Sequence, residues 1–145
     1  MKNEIIVRFG IHDFHDITHS EITEILGGIQ PDKIYVKGEK RNPNNIDSPL
    51  IKKNSWILGS GLSKYSPFED QMESLLDTIE SNIHRFKILC DRYCCEFSCA
   101  LFVYAGNDES TPWVHLNSRY NELVRKLNVE FDVDLYVFPN EDNAV

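Results

Sequence analysis

Cys90 to Tyr104 reads CDRYCCEFSCALFVY, and inside it the hydrophobic period changes from helical to extended. Up to Tyr93 the apolar residues step by threes and fours. Phe68, Met72, Leu75, Leu76, Ile79, Ile83, Phe86, Leu89, Cys90 and Tyr93 form one helix face. From Cys95 onward, Cys95, Phe97, Cys99, Leu101 and Val103 alternate with Glu96, Ser98, Ala100, Phe102 and Tyr104, the period of a strand. The second set is itself apolar enough to place this strand in the interior of a sheet. A long helix that hands over to an interior strand must lie across the sheet it feeds, so the stretch already points to an α+β layering.

All four cysteines fall in this stretch. A structural zinc site needs four ligands within about 2.3 Å of one ion, usually delivered by paired Cys-x-x-Cys turns. Here the spacing is Cys90, Cys94, Cys95, Cys99. In a strand Cys94 and Cys95 point to opposite faces, and Cys95 and Cys99 are two pleats apart, beyond disulfide reach. Cys90, Cys94, Cys95 and Cys99 are therefore expected to be structural and reduced, acting as small hydrophobes.

Working toward the N-terminus, the long helix is expected to start at Pro67 with Ser66 as its cap, and to kink or break at Glu80-Ser81-Asn82. Its outer face carries Glu69, Asp70, Glu73, Asp77 and Glu80 with no base among them, which reads as a solvated face. Ser55 to Leu58 and Lys33 to Lys37 are expected strands. Between them, residues 38–54 form a long polar loop with two prolines and four asparagines. Thr18 and Glu21 fit a capping box, Ile22, Ile25 and Leu26 follow at helical spacing, and Gly27-Gly28 supplies the stop. Glu4 to Phe9 is the first strand. Toward the C-terminus, Trp113 to Leu116 suggests a short edge strand, and Asn117 or Ser118 caps a helix running through Leu127. Val129 to Val137 alternates apolar and acidic residues, as an antiparallel or edge strand with one face buried does. Residues 139–145 are expected to be a flexible tail. The order β-α-β-β-α-β-α-β gives an α+β two-layer sandwich, mainly antiparallel with helices on one face. Its expected topology is a ferredoxin-like core with an extra helix and strand.

The chain has 145 residues, 41% of them hydrophobic and 26% charged, which fits one domain with its own core. A net charge of −8 and a pI near 5.0 disfavour nucleic acid, whose phosphates require clustered bases. No apolar run approaches the roughly 18 residues of a membrane span, and Arg8 interrupts the apolar start, so neither membrane nor export is implied. A cytoplasmic protein with free thiols is expected.

Two clusters could carry chemistry. His12, His15 and His19, with Asp13 and Asp16, crowd the approach to the first helix, where such ligands can hold zinc, iron or manganese. The plainer reading is local hydrogen bonding around a helix cap. Lys33, Lys37, Lys40, Arg41, Lys52 and Lys53 form the basic neighbourhood of an acidic chain. Lys37 and Arg41, with Trp56 just beyond, can receive a phosphate, a carboxylate or an acidic partner, Arg41 as the bidentate donor. Trp56 opening a strand can equally be a core anchor. Gly59-Ser60-Gly61 lacks the spacing of a nucleophile elbow, and no phosphate-binding glycine run occurs. No catalytic set and no cofactor are implied.

The series Ile22-Thr23, Leu26-Gly27, Pro31, Lys37-Gly38-Glu39, Arg41, Trp56-Ile57-Leu58 and Asp134-Leu135-Tyr136-Val137 resembles a family of small bacterial single-domain proteins catalogued as a domain of unknown function. The resemblance implies a fold and no reaction. A binding or interaction domain is expected, of accessory or immunity-like build, acting on a protein partner through its acidic surface or the 38–54 loop. A homodimer by sheet-edge pairing fits the same reading. The alternative is a small-ligand or metal-dependent protein using the His12–His19 loop or Lys37, Arg41 and Trp56.

Overall fold

The computed structural model describes residues 1–139. Its elements are β1 (Glu4–His12), α1 (His19–Ile25), β2 (Lys33–Tyr35), β3 (Ser55–Gly59), α2 (Phe68–Glu80), α3 (Ile83–Cys90), β4 (Cys94–Ala105), α4 (Ser118–Val124) and β5 (Glu130–Pro139). The five strands form one open mixed sheet in the order β2-β3-β1-β4-β5. The pairs β2–β3, β3–β1 and β1–β4 are antiparallel, and β5 runs parallel to β4. The last strand was expected to be antiparallel or an edge. It is an edge, and its direction follows from the α4 crossover that carries the chain back before β5 begins.

Strand alternation sorts the sheet into two faces. Val7, Phe9 and Ile11 of β1, Trp56 and Leu58 of β3, and Cys95, Phe97, Cys99 and Leu101 of β4 share one parity, and all are buried. The helices cover this face with Ile22, Phe68, Met72, Leu75, Leu76, Ile79, Phe86, Leu89, Tyr120 and Leu123. Phe9 sits edge-on to both Phe86 and Phe97, at 5.4 and 5.3 Å between centroids. The α+β layering is as expected.

The capping box at Thr18 and Glu21 forms in both directions. The long helix breaks at Ser81-Asn82, where Ser81 Oγ donates to the Asp77 carbonyl and Asn82 Nδ2 to that of Thr78. Ser66 does not cap α2. Pro67 holds the N-cap position without a side-chain bond, because Ser66 is drawn into a turn in which its N–H donates to Ser63. Trp113 to Leu116 makes no strand. Val114 and Leu116 pack on the core, and β5 has already taken the place beside β4.

The acidic face of α2 is not simply solvated. Arg119 of α4 reaches across and bonds Glu73, Asp77 (2.6 Å) and Glu80 (3.0 and 3.1 Å). Its guanidinium pKa is raised, chiefly by the bond to Glu80. The alternation of β5 also fails to bury a face. Phe131 packs against Phe68 and Tyr120, but Val133, Leu135 and Val137 stay exposed, because the helix layer ends before reaching them. The expected tail lies outside the described residues except for Pro139, which ends β5.

Candidate functional site

The sheet face away from the helices carries Gly10 and His12 of β1, Ser55 and Ile57 of β3, and Glu96 of β4. Over part of it folds the 38–54 excursion, which has a ladder of its own. Gly38 N–H donates to Ile51, Ile51 N–H to Glu39, and Arg41 N–H to Pro49. Asn54 fastens its base by accepting from Lys37 N–H and donating to the Phe14 carbonyl, each at 2.8 Å. Excursion and sheet enclose a cleft of about 700 Å³.

The floor of the cleft is a row of polar side chains across three strands. His12 and Ser55 are directly paired, and Nδ1 lies 2.7 Å from Ser55 Oγ. Nε2 lies 3.4 Å from Glu96 Oε1. The ring reaches Glu96 by lying along the sheet over Gly10. A Cβ there would come within 2.7 Å of the ring's Cε1 and nearer still to Nε2. Burial, with Lys53 close by, lowers the His12 pKa to about 4, so the ring is neutral at physiological pH. A carboxylate can only accept, so the one ring proton belongs on Nε2 and Ser55 donates to Nδ1. The Glu96 pKa is raised, first by burial and then by Asp132.

The walls are of two kinds. Leu50, Ile51 and Ile57 are apolar, while Arg41, Lys52 and Lys53 bring three bases. Arg41 lies over the Tyr35 ring at 5.7 Å, beside Lys33 at 4.9 Å. Among the described residues, Arg41, Lys52 and Lys53 enter no salt bridge. The cleft thus offers three bases in its walls above a floor of neutral His12 and Ser55, with the Glu96 carboxylate beside them. A serine–imidazole–carboxylate row is also the order used for nucleophilic catalysis. Here, however, a base with a pKa near 4 has little drive to take a proton at neutral pH, and Ser55 is only 4% exposed. The row is poorly suited to acyl transfer.

Residues 3–138 match the model of the domain of unknown function DUF4279. The chain belongs to the DUF4279 family. No curated protein and no solved structure matches it.

Within this DUF4279 domain the residues singled out in the sequence part company. Arg41 lines the cleft, Lys37 is exposed outside it, and Trp56 faces the helices. The Trp56 indole is fully buried and donates to Thr23 Oγ1 at 3.1 Å. Arg41 and Trp56 therefore stand on opposite faces of the sheet. The histidines also separate. His12 joins the cleft floor, His15 is exposed beside Asp13, and His19 Nε2 meets the Tyr35 carbonyl at 2.9 Å. Among the described residues no three His, Cys, Asp or Glu converge to hold an ion. All four cysteines are free; Cys90, Cys95 and Cys99 are in the core and Cys94 is exposed. Burial pushes the Cys99 thiol up to about 11, and the Cys90 contact followed by burial raises Cys95, so both are poor thiolates.

Gly10, Ser55 and Glu96 were not apparent as site residues. The available signals were a lone glycine inside a strand, which marks a close approach, and a glutamate in an otherwise apolar strand. Assembling them requires the register of three strands, which no local pattern carries.

Proposed function

We propose that this domain binds a small molecule bearing an acidic group, held in the cleft between the 38–54 excursion and the open sheet face. The observation that carries the reading is the convergence of Arg41, Lys52 and Lys53, none in a salt bridge among the described residues, on a cleft floored by neutral His12 and Ser55 with Glu96 beside them. Arg41 supplies a planar fork for a carboxylate or phosphate, pre-positioned on Tyr35. The two lysines add charge, and Leu50, Ile51 and Ile57 receive the apolar body of the ligand. This is a binding role exercised through the 38–54 excursion. The acidic face of α2 is a weaker candidate for the acting surface, since Arg119 already engages three of its carboxylates.

The test is an NMR titration of the labelled protein with inorganic phosphate and with benzoate, an aromatic carboxylate matched to the apolar wall. Saturable shifts at Arg41, Lys52, Lys53 and Ser55 are expected, and their loss in Arg41→Gln/Lys53→Gln. Flat titrations with both probes, or shifts that survive the double substitution, would remove the cleft as the site.

A further inference from the structure

Among the described residues β5 is the long edge of the sheet, and from Val133 onward it is exposed on both faces. On the helix-side face Val133, Leu135 and Val137 are 46%, 62% and 62% exposed. On the other face Tyr136 and Phe138 are 46% and 39% exposed, extending an aromatic row in which Tyr136 stacks on Phe102 at 5.0 Å and Phe138 on Tyr104 at 5.4 Å. The opposite edge, β2, is three residues long and carries Lys33, a blunted edge of the usual kind. β5 has ten residues, and its run Val133 to Phe138 has no glycine, no proline and a single charge. Such an edge, left bare, templates aggregation.

We propose that β5 pairs with β5 of a second copy of this chain, antiparallel about a two-fold axis at Leu135. The length of strand paired and its charge pattern together favour this occupant and this register. Centred on Leu135, residues 131–139 pair completely. Leu135 then meets its own copy, Val133 meets Val137, and Phe131 meets Pro139, so the helix-side face is apolar throughout. On the other face Asp134 falls opposite Tyr136, whose hydroxyl can donate to it, and Asp132 opposite Phe138. Moving the axis to Asp134 would set two aspartates against each other, and a parallel in-register pairing would do so at both Asp132 and Asp134, which is destabilising. Centred on Leu135 the strand is thus self-complementary, as an isologous contact requires. The resulting sheet has ten strands, with the helix layers of both copies on the same side.

Analytical ultracentrifugation of the full chain tests this. A dimer is expected, dissociated by Leu135→Asp, which places two carboxylates together on the axis, and left intact by Ile46→Asp at an exposed position in the 38–54 excursion. Because an antiparallel facing pair has its Cα atoms within disulfide range, Leu135→Cys in a Cys94→Ser background should cross-link to a covalent dimer under mild oxidation. Val133→Cys, which faces Val137 in the partner, should not. A chain that stays monomeric at all accessible concentrations would overturn the proposal, even if it captured a strand of another protein. So would a dimer indifferent to Leu135→Asp, or Val133→Cys cross-linking as readily as Leu135→Cys.

Discussion

His12 is where the physical chemistry of single residues is most exposed to measurement. In the unfolded chain its imidazole titrates near 6.5, and in the folded chain near 4. Between those values the unfolded state holds a proton that the folded state refuses. Stability therefore falls as pH drops from about 6.5 to 4, by up to roughly 3 kcal/mol in total. Glu96 works the other way, since its raised pKa lets the folded state take up a proton first and so offsets part of the loss. Urea denaturation at stepped pH should show the slope in the native chain and a flatter one in His12→Asn, with Glu96→Gln steepening it. An unchanged slope in His12→Asn would mean the ring is not held neutral by burial. Gly10 is the companion residue. In Gly10→Ala the new methyl occupies the space of the imidazole, which must leave Ser55 and Glu96, at a cost of about 1–3 kcal/mol. Chemical denaturation measures that loss, and the His12 pKa read by NMR should rise with it as the ring moves toward water. Stability equal to the parent would show that the ring does not need the glycine.

At the scale of elements, α2 is attached to β1 by its apolar stripe and by one buried amide. β3 pairs with β1 only from Arg8 onward; before that, Ile5 N–H donates to the Lys64 carbonyl at 2.8 Å and the other exposed strand groups lack a strand partner on that side. Gln71 takes the missing place. Its Oε1 accepts from Val7 N–H at 3.0 Å, and its Nε2 donates to Ile5 at 2.8 Å and to Ser66 at 2.9 Å. Gln71→Leu keeps the bulk but strips partners from a strand N–H and carbonyl, and should cost about 2–4 kcal/mol in thermal or urea unfolding. A loss under about 1 kcal/mol would mean water replaces the amide. The same residue shows what the sequence could and could not reveal. The helix face from Phe68 to Tyr93, its break near Ser81 and the Thr18–Glu21 box were legible because each is written in residues three or four apart. Gln71 lies on the buried stripe of that helix, and its polarity there was the signal of a tertiary partner, but the identity of the partner was not local. Arg119 is the same case, a half-buried base whose three acids lie on another helix. β5 failed differently. Its alternation is that of a half-buried strand, and what it lacks is a helix above it, a property of the rest of the chain.

Taken as one molecule, the protein divides its labour between the two faces of its sheet. The helix face holds the core, with Phe9, Trp56, Phe68, Phe86 and Phe97 almost wholly buried. The other face holds the cleft, roofed by an excursion that contributes Ile51 as its one described residue buried among the core-size hydrophobics. In the sequence this excursion looked like a polar loop, because its ladder of backbone bonds leaves no hydrophobic period. With the core on one face and the cleft on the other, the excursion can be removed without unfolding the sheet and helices beneath it. Replacing residues 39–51 with a short Gly-Ser linker keeps Lys52, Lys53 and Asn54, and with them the fastening to Phe14 and both strands of the hairpin β2–β3. The circular dichroism spectrum and cooperative unfolding should persist, with a modest drop in melting temperature because one buried isoleucine contributes about 1.5–3 kcal/mol. His12 would lose its cover, and its pKa should climb from about 4 back toward 6.5 even with Lys53 still nearby. Phosphate and benzoate should no longer shift the spectrum. A His12 pKa that stayed near 4 in this variant would place the source of its burial in the strands themselves, with Ser55 and Glu96 sufficient to exclude water. The cleft would then be a pocket of the sheet, and the excursion a rim around it.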